Sequence, residues 1–163
     1  MKKITLLALL SVLTLSSMAQ NKFGYIDSQE LLTLMPERVT AATEVENFAK
    51  SLQAQLGSME AEFQQMQQEY QANESIYTDL VKQDKESEIQ GLYQRIQTFE
   101  QNAQKSLQSK QNELLIPIND KLKNAINEVA SEGKYTYIFT IEIFLYAEES
   151  NDIGSLVKAK LGL

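Results

Sequence analysis

From Val45 onward, apolar residues recur at a helical rhythm. Val45, Phe48, Leu52, Leu56, Met59, Phe63, Met66 and Tyr70 follow one another at spacings of 3, 4, 4, 3, 4, 3 and 4. That is close to a heptad seam, with one stutter at Leu52 where two fours adjoin. A second run, Ile89, Leu92, Ile96, Phe99 and Ala103, repeats the 3–4 spacing, and Leu107 and Leu114 continue it more loosely. The stretch from Glu37 to Ile116 has no proline and only two glycines, Gly57 and Gly91, so little in it interrupts a helix. The pattern predicts two long helices folded back as an antiparallel hairpin. Its tip is placed in the polar stretch from Thr78 to Glu88, which holds Lys82, Asp84, Lys85, Glu86 and Glu88. Asn73 stands where the seam expects an apolar residue and either loosens it toward that tip or sets its register.

The flanks follow different rules. Lys22 to Asp27 is a short β-prone run, and Asp27 with Glu30 three residues later forms a capping-box signal. Leu31, Leu32, Leu34 and Met35 then predict a brief helix that stops near Pro36. Past Pro117, where a kink is expected, Ile118, Leu122, Ala125, Ile126 and Val129 share a helical face, and Gly133 is the expected C′ residue. Tyr135 to Ala147 is the strongest β segment, with Tyr137, Phe139, Ile141, Ile143 and Leu145 alternating along it and a bend near Thr140 to Glu142. Asp152 to Leu161 reads as a short capped helix. The predicted class is α+β: a long helical hairpin (37–116) on a small β-rich oligomerisation body built from both chain ends (20–36 and 117–163). Strand edges this apolar need partners, and the residues expected to serve oligomerisation are Tyr25, Ile26, Tyr137, Ile138, Phe139 and Leu145.

Composition then narrows the chemistry. Met1 to Ala19 has a basic start, an apolar run from Ile4 to Leu15 and small residues at Ser17 and Ala19, the pattern of a cleaved signal peptide. Its apolar core is shorter than the ~20 residues a membrane helix needs, so stable membrane insertion is not expected and export, most simply to a bacterial periplasm, is. Loss of Lys2 and Lys3 with that segment takes the formal charge from −7 to −9. Such a chain repels nucleic acid and anionic membrane surfaces. It has no cysteine and no histidine, and no phosphate-binding glycine loop, nucleophile elbow or zinc-ligand cluster is found. Glu60/Glu62 and Glu148/Glu149 read as solvated faces or turns, and the Asn73-Glu-Ser75 sequon as chance. No enzyme activity, cofactor or metal is expected.

Two features of the hairpin bear on binding. Fifteen glutamines lie between Gln53 and Gln111; they support helix nearly as well as glutamate and add no charge. Met59, Phe63, Met66, Tyr70, Tyr77, Tyr93 and Phe99 either pack between the arms or present an adaptable binding surface, methionine suiting promiscuous contact.

The ordered set of elements resembles the Skp/OmpH family of periplasmic chaperones. The likeness rests on the signal peptide, the Phe23-Gly24-Tyr25-Ile26-Asp27 strand and the Gln/Glu-rich hairpin. It continues in the Val129 to Phe139 run, in Leu145-Tyr146-Ala147, and in Asp152-Ile153 with Leu156-Val157. It covers the whole chain after the signal segment. The resemblance implies a homotrimer whose strands form a shared body, with three helical hairpins around a cavity. Such a chaperone holds unfolded outer-membrane or other exported proteins without ATP, and the aromatic and methionine residues above become candidates for client binding. Two departures stand out. Well-known members are basic, so attraction to acidic clients or lipopolysaccharide is not carried over, and Gly154 replaces the usual Thr or Ser after Asp-Ile, which weakens the capping expected there. The alternative is an envelope coiled-coil adaptor that binds one folded partner through the hairpin. The loose, glutamine-rich seam favours the chaperone, because charge pairs such as Glu46 with Lys50 are few.

Overall fold

The computed structural model describes residues 21–163, so the signal peptide expected at 1–19 lies outside the described residues. The elements are β1 (Phe23–Ile26), α1 (Ser28–Leu34), α2 (Pro36–Asn73), α3 (Asp79–Glu132), β2 (Tyr137–Thr140) and α4 (Gly154–Leu161), with single 3₁₀ turns at Ile141–Ile143 and Glu149–Asn151. The chain divides into two compact units. One is Leu32–Lys121; the other combines the residues up to Leu31 with Leu122–Leu163.

In the unit Leu32–Lys121, α2 begins at Pro36 after an extended Met35. Proline suits that position because its fixed φ is helical and its missing N–H would have had no partner there. Each residue that the spacing marks from Val45 to Tyr70 is half-buried, while most of its neighbours are exposed. On α3, Leu92 and Ile96 are fully buried and Ile89, Phe99, Ala103, Leu107 and Leu114 half-buried. The arms run antiparallel. Glu37 pairs with Lys121, Glu44 with Lys110, the Phe63 ring lies against Tyr93 and the Tyr70 hydroxyl bonds Glu86. The sequence separation falls from 84 at the first of these pairs to 16 at the last. The i,i+4 pair Glu46–Lys50 is present at 2.6 Å.

The hairpin turn occupies 74–78, not the polar run from Thr78 to Glu88, most of which is the start of α3. Charge marked the wrong place because Lys, Glu and Asp at those spacings are compatible with helix. Hydrogen bonds mark the right one. The Asn73 carbonyl accepts from the N–H groups of Ile76 (3.0 Å) and Tyr77 (3.2 Å), and Thr78 caps α3 by accepting from Val81 N at its hydroxyl and from Lys82 N at its carbonyl. Asn73 is therefore the last residue of α2, and its side-chain amide donates to the Glu69 carbonyl at 2.9 Å. Further on, α3 continues through Pro117 as one helix.

In the other unit, β1 and β2 form a two-stranded parallel sheet in the register Phe23↔Tyr137 to Ile26↔Thr140. On the far edge of β1, Tyr25 bridges Asp152, and its carbonyl accepts from Ile153 N at 3.0 Å. Ile26, Leu31, Leu122, Ala125, Val129, Ile153 and Val157 are buried here. The sheet is far smaller than the run Tyr135 to Ala147 suggests. A strand persists only while its backbone groups have partners, and β1 offers four residues. Past Thr140 the chain turns into a 3₁₀ turn closed by Phe144 N on Ile141 O. The fold is thus mostly helical with a small sheet, rather than helices on a β-rich body.

The end of α3 corrects a second expectation. The C′ residue is Lys134, with φ +53°, and not Gly133. Tyr135 N donates to Ala130 O (2.9 Å) and Lys134 N to Ser131 O (3.3 Å), the bond pattern of a Schellman motif. Gly133 is required for a different reason: a Cβ there would meet Tyr135 ring carbons at 2.3 and 2.7 Å. Lys22 locks the same corner, its ammonium lying 4.0 Å from the Tyr135 ring centroid and donating to the Gly133 carbonyl at 2.9 Å. The capping signal at Asp27 is used. Asp27 Oδ1 accepts from Glu30 N (2.8 Å), whereas α4 has Ile153 as N-cap with no side-chain cap, in line with the weaker capping expected at Gly154, and Asp152 Oδ1 accepts only from Gly154 N (2.7 Å).

Candidate functional site

The seven hairpin residues singled out for binding fall into two sets. Met59, Met66 and Phe99 are half-buried along the seam. Phe63, Tyr70, Tyr77 and Tyr93 form two ring pairs across and around the distal part of the hairpin: Phe63–Tyr93 with centroids 5.9 Å apart, and Tyr70–Tyr77 at 6.3 Å. Tyr93 differs from the rest. It sits one residue beyond the buried Leu92, off the seam, and is 49% exposed.

Between the arms, Phe63, Tyr70, Ile89 and Tyr93 line an open groove of about 370 Å³, edged by Gln67, Gln71, Gln90 and Glu86. Its lining thus combines four apolar or aromatic side chains with three amides and one carboxylate. Tyr70 O–H donates to Glu86 Oε1 at 2.5 Å and fixes one end. That bond, reinforced by desolvation and by the negative charges of Glu86 and Glu74, pushes the Tyr70 phenol up to about 12. Glu37 shifts the other way, the hydrogen bond and charge of Lys121 holding its carboxyl below the usual glutamate range. Neither cross-arm bond was visible to sequence reading. Both depend on register, and register depends on the turn. The heptad spacing of Glu37 and Glu44 was the one signal available, since it places two acids on one edge of α2.

The six residues expected to serve oligomerisation are placed unevenly in their own unit. Tyr25 and Ile26 are buried within the chain, Ile138 and Phe139 are half-buried, and Tyr137 is exposed. Leu145 is fully exposed and its neighbour Tyr146 is 84% exposed. The Phe23, Tyr137 and Phe139 rings stack on one another with centroids 5.9–6.2 Å apart, and Phe144 bridges Phe139 and Tyr25 edge-on. One side of the sheet thus carries an aromatic cluster, and Ile143, Leu145 and Tyr146, beside Phe144 in sequence, are exposed.

Among the described residues, no group of three or more acidic, histidine or cysteine side chains is arranged to hold a metal ion, and no helix is long and apolar enough to cross a membrane.

No protein of curated function matches the sequence. The fold is similar to the crystal structure of a candidate outer membrane chaperone (OmpH-like) from Caulobacter crescentus, with a TM-score of 0.77 and 15% identity, covering 88% of this chain and 85% of that one. At that identity the likeness carries the fold alone. The sequence pattern of the family described as outer membrane protein (OmpH-like) matches residues 22–161. That match takes in both strands, the hairpin with its groove and the aromatic cluster, and by it the chain belongs to the OmpH-like outer membrane protein family.

Proposed function

We propose that this protein is an ATP-independent holdase of the bacterial periplasm that shelters unfolded outer-membrane proteins among helical arms, working as a homotrimer. The observation that carries the reading is the half-buried seam. Its aromatic and methionine residues keep apolar surface in reach of water along the hairpin, while the intervening glutamines keep that hairpin soluble. Many weak apolar contacts suit an unfolded chain, which has no fixed shape to match. Family membership and the candidate chaperone of the same fold support this role. The assembly face in this reading is Tyr137, Ile138, Phe139 and Leu145, backed by Tyr25 and Ile26.

The test is dilution of a urea-unfolded outer-membrane β-barrel with and without the protein, in the absence of ATP. Aggregation is expected to be suppressed, with saturation near one trimer per client. Absence of suppression by a helical, assembled protein would sink the reading and favour an adaptor for one folded partner.

A further inference from the structure

We infer that the groove at Phe63 and Tyr93 is a discrete subsite for one aromatic side chain of an extended peptide, preferring an aromatic residue flanked by lysine or arginine. The inference rests on the holdase reading and names the chemistry that one part of the hairpin selects.

The ring pair is the first reason. Tyr93 lies beside the seam and not in it, is half exposed, and still stands against Phe63 at 5.9 Å with the planes 34° apart. An added ring can extend such a pair by offset or edge-on stacking. Size is the second. A groove of about 370 Å³ is at the low end of the range for small-molecule sites, roughly 300–1,000 Å³. That suits a single side chain.

The rim decides what lies around the inserted ring. Gln67 and Gln71 come from α2 and Gln90 from α3, so amides that both donate and accept hydrogen bonds stand on both arms. They can satisfy the main chain of an extended segment without regard to its sequence. Charge supplies the remaining preference. The carboxylate at the groove is Glu86, and Glu74 is close enough to act on Tyr70. Lys85, next to Glu86 in sequence, is held by Glu88 at 3.2 Å and also faces Glu69. The charges of Glu86 and Glu74 at this end of the groove favour a basic neighbour and disfavour an acidic one.

The experiment uses three end-capped, unstructured fluorescent peptides and the whole protein after its signal segment, with binding followed by anisotropy at low salt. One peptide carries a tyrosine between lysines, the second has alanine for the tyrosine, and the third has glutamates for the lysines. The first is expected to bind best, with Tyr93→Ala weakening it roughly fivefold and Glu86→Gln about twofold. Glutamine keeps an acceptor for Tyr70, and Tyr93 is exposed, so both variants should retain the wild-type circular dichroism. Equal binding of the three peptides, or a folded Tyr93→Ala protein with unchanged affinity, overturns the inference. Suppression of β-barrel aggregation by the same wild-type sample tests the holdase reading separately. Suppression without peptide discrimination removes the subsite alone.

Discussion

Along α2 the apolar seam is half-buried from Val45 to Tyr70, whereas Ile153 and Val157 in the other unit are 0% exposed. The two regions use similar side chains for different ends. In the sheet-containing unit, backbone and side chains approach so closely that a Cβ on Gly24 would sit 3.1 Å from Ile153 and Tyr135, and one on Gly133 would overlap the Tyr135 ring. In the hairpin, a Cβ on Gly57 or Gly91 would meet nothing within 4 Å. The first region is packed to a single arrangement. The second, its buried Leu92 and Ile96 apart, keeps spare surface along the seam and open space at Gly57 and Gly91.

The contrast breaks most readily in the tight region. Ile153→Ala should cost about 2–5 kcal/mol, the range for emptying a filled core site. Leu52→Ala, at a half-buried seam position, should cost roughly 1 kcal/mol. Urea unfolding followed by circular dichroism checks both, and equal costs would show that the hairpin is as closely packed as the other unit.

Glycine substitutions sharpen the comparison at smaller amplitude. Gly133→Ala should destabilise by about 1–3 kcal/mol, because the Tyr135 ring must move. Gly57→Ala should instead stabilise by roughly 0.5–1 kcal/mol, since an exposed helical glycine gains propensity and meets no obstacle. Opposite shifts in melting temperature are the expected result. A stabilised Gly133→Ala protein would mean that the Tyr135 ring does not lie over that corner.

The smallest effect is at the distal end of the hairpin and is read by titration. A tyrosine whose folded pKa lies above its unfolded value of about 10 favours the folded state while it is protonated. The Tyr70–Glu86 contribution is therefore complete below pH ~10 and is lost as the pH rises through about 12. In a tyrosinate absorbance titration, Tyr70→Phe should remove a late step near pH 12 and leave the earlier absorbance change in place. Identical curves for the two proteins would show that Tyr70 and Glu86 do not bond in solution.

The hairpin was legible in sequence because its contacts repeat. Seam positions on α2 fall three or four residues apart, and burial follows them almost residue by residue. Its turn was not, since Asn73 and Thr78 end and start helices through hydrogen bonds that composition does not reveal. The other unit was legible only in pieces. The length of β2 was misjudged because a strand is limited by its partner, and β1 lies more than a hundred residues away in sequence. Lys134 holds the left-handed position expected of Gly133 because the Tyr135 ring needs the space that glycine leaves. For the groove, Phe63, Tyr70 and Tyr93 were chosen as residues, but their grouping with Ile89, Glu86 and three glutamines needed the register of the arms.

The glutamine coat of the hairpin has a consequence for the medium in which the protein works. Interactions between exposed charges fade with ionic strength, their range shrinking from ~10 Å at 0.1 M salt to ~3 Å at 1 M. Amide groups neither titrate nor gather counterions. The two arms together carry fifteen glutamines, and that part of their surface is the same in dilute and in salty surroundings, so the proposed hold on an apolar segment rests there on water and shape.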